Sequence, residues 1–212
     1  MYEHDTETPD FHFFNSIPWC AQHMRGVNLV VRPPTCRTVQ PSGENLLFGR
    51  TLNTAGTISA LLEIFSNKRA GGDAAATTAV SREEDGSGSG SGSGLIDEAK
   101  WLFALGQDVN GYPGMLHGGV VAAILDELIG GMIPINRERG LIPEGSYFTA
   151  YLNTQYRRPV PTTSGALLGR ARFTKVDLAR GKVFAEATLE DGEGTVLASA
   201  EALFVRARGA KL

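Results

Sequence analysis

Between residues 118 and 133 the apolar positions Val120, Val121, Ile124, Leu125, Leu128, Ile129, Met132 and Ile133 recur at the i, i+1, i+4, i+5 spacing. A helix gathers that set into one broad stripe, and the opposite face, Ala122, Ala123, Gly130 and Gly131, is small enough for close packing. The spacing therefore predicts a central helix surrounded on most sides. At roughly 100° per residue, Asp126 falls at the margin of the stripe and Glu127 points into the small-residue face. Elsewhere the pattern has period two. Residues 147–157 alternate Phe148, Ala150, Leu152, Thr154 and Tyr156 against Thr149, Tyr151, Asn153 and Gln155, and end at Pro159-Val160-Pro161, which cannot continue a ladder. Residues 166–175 and 182–189 are joined through Leu178-Ala179-Arg180-Gly181, and Asp191-Gly192-Glu193-Gly194 leads into 195–206, both hairpin signals. Residues 99–105 form a further strand candidate ahead of the helix. A strand, a long helix and a four-strand meander predict an α+β arrangement, an antiparallel sheet curled around the helix.

The helix opens on Met115-Leu116-His117-Gly118-Gly119. A helix start carries free backbone N–H groups and the positive end of the macrodipole, and two glycines let an oxygen approach that backbone with no Cβ in the way. Such a turn can hold an oxyanion. Seven residues after Gly119, Asp126 supplies a base or nucleophile in surroundings apolar enough to tune it. Aspartate is a poor helix former, and burying it unpaired costs on the order of 1 to 3 kcal/mol, which points to a compensating role. Seven residues also place Asp126 about 10 Å down the axis from the turn, whereas reacting groups meet near 3 Å. The two groups then meet only if a symmetry-related chain brings its own helix across, and a composite site in a dimer is expected.

Three stretches, 110–119 (Asn-Gly-Tyr-Pro-Gly-Met-Leu-His-Gly-Gly), Leu125-Asp126-Glu127, and 149–161 (Thr-Ala-Tyr-Leu-Asn-Thr-Gln-Tyr-Arg-Arg-Pro-Val-Pro), followed by the closing 186–205 hairpin, resemble the hotdog-fold thioesterases. The likeness covers about residues 95–208; it is to the branch typified by phenylacetate-pathway thioesterases and, more closely, to fungal thioesterase-superfamily proteins. The resemblance implies a hotdog fold, hydrolysis of an acyl thioester, and dimers with sites at the subunit interface. It makes the Gly118 backbone N–H the donor that polarises the thioester carbonyl and Asp126 the base or nucleophile. It also makes Thr149 the residue that orients the water, with an ordinary strand threonine as the alternative. His117 is either a donor near the carbonyl or a residue whose ring ties down the turn. Gly119, Asn110 and Glu127 complete the candidate set as substrate contacts.

Composition adjusts this picture at the edges. The chain has 212 residues, is 42% hydrophobic and carries a formal charge of −3, without a basic patch suited to nucleic acid. No apolar run approaching a membrane span and no basic leader are read, so a cytoplasmic protein is expected. Cys20 and Cys36 make neither a disulfide framework nor a metal site, and neither metal nor cofactor is expected; Cys20 with His23 is a coincidental Cys-x-x-His. Uninterrupted Gly-Ser over 86–94 marks a flexible boundary, which divides the chain into a flank or lid (1–66), a linker (67–94), the thioesterase domain (95–208) and a tail (209–212). Within the flank, Thr54 is expected to cap a helix with Ile58, Leu61, Leu62 and Phe65 on one face. The leading expectation is hydrolysis of acyl-CoA or of acyl or polyketide chains on a carrier protein, by a homodimer or dimer of dimers and in fungal-type secondary metabolism. Non-hydrolytic hotdog chemistry, such as dehydration or cyclisation of a polyketide-type intermediate, and a non-catalytic acyl-binding module are the alternatives.

Overall fold

The computed structural model describes residues 7–67 and 94–207; the Gly-Ser run, apart from Gly94, the linker over 68–93 and the tail lie outside the described residues. A seven-stranded antiparallel sheet runs in the order β1-β2-β3-β7-β8-β9-β6, from β1 (Leu29–Arg32), β2 (Ile58–Ser66) and β3 (Glu98–Leu105) through β7 (Leu167–Asp177), β8 (Lys182–Glu190) and β9 (Val196–Arg206) to β6 (Tyr147–Tyr156). The sheet curls around α3 (Gly118–Arg137), whose Ile124, Leu125, Leu128, Ile129 and Met132 are buried against Trp101, Phe103, Leu189 and Phe204. This is the antiparallel sheet around a central helix that the alternation of periods predicts, and the hotdog architecture that the resemblance implies.

Two shorter helices, α1 (Pro9–Asn15) and α2 (Pro18–Met24), cover the other face of the β2–β3–β7 half. Phe14, Cys20 and Met24 pack there on Leu62, Ile64, Leu102 and Leu168. Proline at the first position and the Thr8 hydroxyl accepting from Phe11 N–H start α1. A short hairpin of β4 (Asn110–Tyr112) with β5 (Met115–Leu116) leads into α3.

Three expectations are corrected. Residues 58–66 form strand β2, paired with β1 and β3, instead of a helix capped by Thr54; Thr54 closes a turn with Thr57. Because helices cover one face of β2 and α3 lies under the other, its residues from Ala60 to Phe65 are all buried. An apolar run of that kind has no alternation, and Ile58, Leu61, Leu62 and Phe65 then imitate helical spacing. Second, only β7, β8 and β9 form a meander; β6 pairs with β9 and ends the sheet. Third, α3 is long and apolar enough by composition to cross a membrane, contrary to the reading of no such run. Its apolarity serves the sheet that wraps it.

Asn136, fully buried near the end of α3, accepts from Ile96 N–H at 2.8 Å and donates to Ile96 and Met132 carbonyls at 2.9 Å each. Every polar atom of that amide is used, which locks the approach to β3 against the helix.

Candidate active site

The turn before α3 is built by the chain on both sides of it. His117 N–H donates to the Val109 carbonyl and Leu116 N–H to the Val160 carbonyl, so the segment after β6 backs the turn. Gly111 lies so close that a Cβ there would sit 3.1 Å from His117 Cα, which accounts for glycine at that position. Asn110 accepts from the Thr162 hydroxyl at 2.7 Å.

His117 is the N-cap of α3, and its Nδ1 accepts from Gly119 N–H at 3.0 Å. An acceptor nitrogen carries no proton, so the neutral ring bears its hydrogen on Nε2. Through this bond the His117 ring is tied to the turn. It also spends the Gly119 N–H on the ring, which lies so close that a Cβ on Gly119 would sit 3.2 Å from it. The His117 carbonyl accepts from both Val120 and Val121 N–H, at 2.9 and 3.1 Å. A trans peptide sets its N–H opposite its C=O, so Gly118 N–H points out of the helix start along the positive end of the dipole.

Farther along α3, Asp126 is half-buried and Oδ1 accepts from the Thr149 hydroxyl of β6 at 2.9 Å. Burial pushes the Asp126 carboxyl above its ordinary value, and the Thr149 hydrogen bond pulls part of the way back. Such a carboxylate is a stronger base than an exposed one. Glu127, one residue on, faces elsewhere: burial raises its pKa, the Cys36 thiol opposes this by hydrogen bonding, and Asp126 adds to the rise by repulsion. A groove of about 850 Å³ starts beside Glu127 and Phe148 and runs along α3 past Gly130 and Pro134 to Arg137, with Thr35, Cys36 and Gln40 on its far wall.

The structure thus pairs Asp126 with Thr149 and gathers His117, Gly118, Gly119 and Asn110 in one turn, but eight residues of helix, about 12 Å, separate Gly118 from Asp126 within the chain. Among the described residues no group of three His, Cys, Asp or Glu is placed to hold a metal ion.

Sequence reading put Thr149 and Tyr156 on opposite faces of β6. Both face α3. The register slips between Thr149 and Tyr151, where Ala150 has no partner on β9, and this bulge reverses the alternation along the strand. Tyr156, absent from the candidate set, donates its hydroxyl to the Gly118 carbonyl at 2.9 Å. The alternation of β6 carries no signal for it.

The sequence model of the thioesterase superfamily matches residues 113–196, which span the turn, α3 and strands β6 to β8. The likeness to that superfamily is thus carried by the segment from the turn before α3 through β8. The mouse acyl-coenzyme A thioesterase THEM4 is 32% identical over 106 residues, 50% of this chain and 41% of that protein, so the chain spans less than half the length of this curated relative. Verlamelin biosynthesis protein B of a Lecanicillium species is 24% identical over 215 residues, 91% of this chain and 86% of its own. Among solved structures, the BH2602 protein from Bacillus halodurans with CoA is 25% identical, with 53% of this chain and 70% of that one covered and a TM-score of 0.45.

Proposed function

We propose that this chain hydrolyses acyl thioesters, of CoA or of a carrier protein's pantetheine arm, in a homodimer whose sites take Gly118 from one subunit and Asp126 from the other. The observation that carries the reading is the half-buried Asp126 held by the Thr149 hydroxyl at 2.9 Å, its carboxyl raised by burial above the ordinary value. With Oδ1 occupied, Oδ2 takes a proton from water as the water oxygen bonds to the thioester carbon. The carbonyl oxygen becomes an oxyanion and accepts from Gly118 N–H. The tetrahedral carbon then expels sulfur, and Asp126 returns its proton to the thiolate, which leaves free acid and thiol. The groove along α3, lined by Glu127 and Phe148, is available to parts of the substrate beyond the reacting carbon.

Two features support the dimer. The helix separates the oxyanion donor from the base, and β6 is the last strand of the sheet, with Phe148, Tyr151 and Tyr156 about half exposed. An uncovered edge strand of this kind is a pairing surface. The similarity of 91% of the chain to a biosynthesis protein supports a place in secondary metabolism, where acyl chains travel as thioesters.

The test mixes two inactive chains. Asp126→Asn removes the base and Gly118→Val blocks the carbonyl's approach, so a heterodimer holds one site with both groups intact. Free thiol release from an acyl-CoA and acyl-pantetheine panel should reappear on mixing. A fully active monomer, or no recovery after verified subunit exchange, overturns the shared site; no thiol release by the unaltered protein from any member of the panel overturns hydrolysis.

A further inference from the structure

The peptide between Gly118 and Gly119 is held at both ends by side chains. Its N–H donates to His117 Nδ1 at 3.0 Å and its C=O accepts from Tyr156 Oη at 2.9 Å. The preceding peptide, which carries the outward Gly118 N–H, is held at its C=O by Val120 and Val121. The free donor therefore sits on a plane whose neighbour has one restraint from the turn itself and one from a distant strand. Tyr156 also closes the space above Gly118: a Cβ there would lie 3.6 Å from its ring, in ordinary contact.

From this geometry we infer that Tyr156 is a positioning residue for the oxyanion donor, acting through the Gly118 carbonyl and not on the substrate; the inference rests on the thioesterase reading of Gly118 given above. The β6 bulge makes this possible. With unbroken alternation, a strand that aims Thr149 at Asp126 would turn Tyr156 away from the helix; the extra residue at Ala150 lets one strand hold the base at one end and the oxyanion turn at the other. The aim of a donor matters because an oxyanion hole works by being set before charge develops, and a small tilt of the peptide is lost from the transition state more than from the bound ground state.

Tyr156→Phe keeps the ring and removes the hydroxyl. The expected result is a roughly 3- to 30-fold lower kcat with KM within about twofold, as for one lost hydrogen bond in a preorganised site. The pH profile should keep its acid limb, since Asp126 and Thr149 are untouched, and the melting temperature should hold. Tyr156→Leu, which loses the ring too, should fall further, so that phenylalanine restores part of the loss. A second readout needs no substrate: in spectra of the glycine-labelled protein, the Gly119 amide should exchange several-fold faster in Tyr156→Phe than in the unaltered chain. Wild-type kcat in Tyr156→Phe, or a raised KM at constant kcat, overturns the inference. If no thioester is turned over, the hydrolytic reading fails and the exchange comparison alone decides: unaltered Gly119 exchange overturns the role of Tyr156.

Discussion

Asp126 and Glu127 are neighbours in sequence, yet the two faces of α3 they occupy belong to different parts of the molecule. Asp126 looks toward β6, the uncovered edge of the sheet, and its partner is a hydroxyl. Glu127 looks toward the N-terminal segment, where the buried Cys36 thiol meets it and the groove begins. Burial raises both carboxyls, so the shift by itself does not pick the base. Surroundings do. One carboxylate stands at the strand that also reaches the oxyanion turn, the other under a cover that is contributed by residues outside the matched family segment. The difference teaches that adjacent carboxylates on one helix are told apart by what each face meets, which is the ground for proposing Asp126 as the base.

The comparison breaks most sharply at Asp126. Asp126→Asn preserves shape and should lower kcat/KM by roughly 10² to 10⁴, the usual worth of a positioned base, as measured by thiol release. Its stability should move the opposite way. A carboxyl whose folded pKa is raised is penalised once ionised, so Asp126 destabilises the fold at neutral pH, and the penalty fades as pH falls through the folded pKa. Melting of Asp126→Asn should therefore equal or exceed wild type near neutrality, with the gap closing on acidification; a clear loss of melting temperature at neutral pH would contradict the sign.

Thr149→Val comes next. Its hydroxyl is what holds the Asp126 pKa down, so removing it raises that pKa further. The acid limb of kcat/KM should move to higher pH, with a roughly 3- to 10-fold loss of activity on that limb that shrinks as pH rises above it. A limb that stays in place would separate Thr149 from the base. The smallest effect belongs to the other carboxylate: Glu127→Gln should change kcat by less than about threefold and act on KM instead, as expected for a group that lines the groove and takes no proton. A collapse of kcat there, comparable to that of Asp126→Asn, would reverse the assignment of the pair.

The fold was legible where one face of an element differs from the other. The apolar stripe of α3 and the alternation of β8, whose Val183, Ala185, Ala187 and Leu189 are buried in turn, could be read because each element buries one side fully and the other only in part. β2 escaped because both of its faces are covered, and an element buried all round has no periodicity to display.

The sequence by itself determined the central helix, the His117-Gly118-Gly119 turn that opens it, and the carboxylate pair one hundred degrees apart on its surface, because these follow from local backbone geometry and helical spacing. Tertiary structure alone decided which carboxylate meets Thr149, that β6 lies beside β9 at the sheet's edge, and that Tyr156 reaches the Gly118 carbonyl. The physical reason lies in pairing. A strand's side chains alternate by rule, but the bulge at Ala150 that resets the rule exists only through the register of β6 on β9, a relation between residues about fifty positions apart that neither segment carries alone.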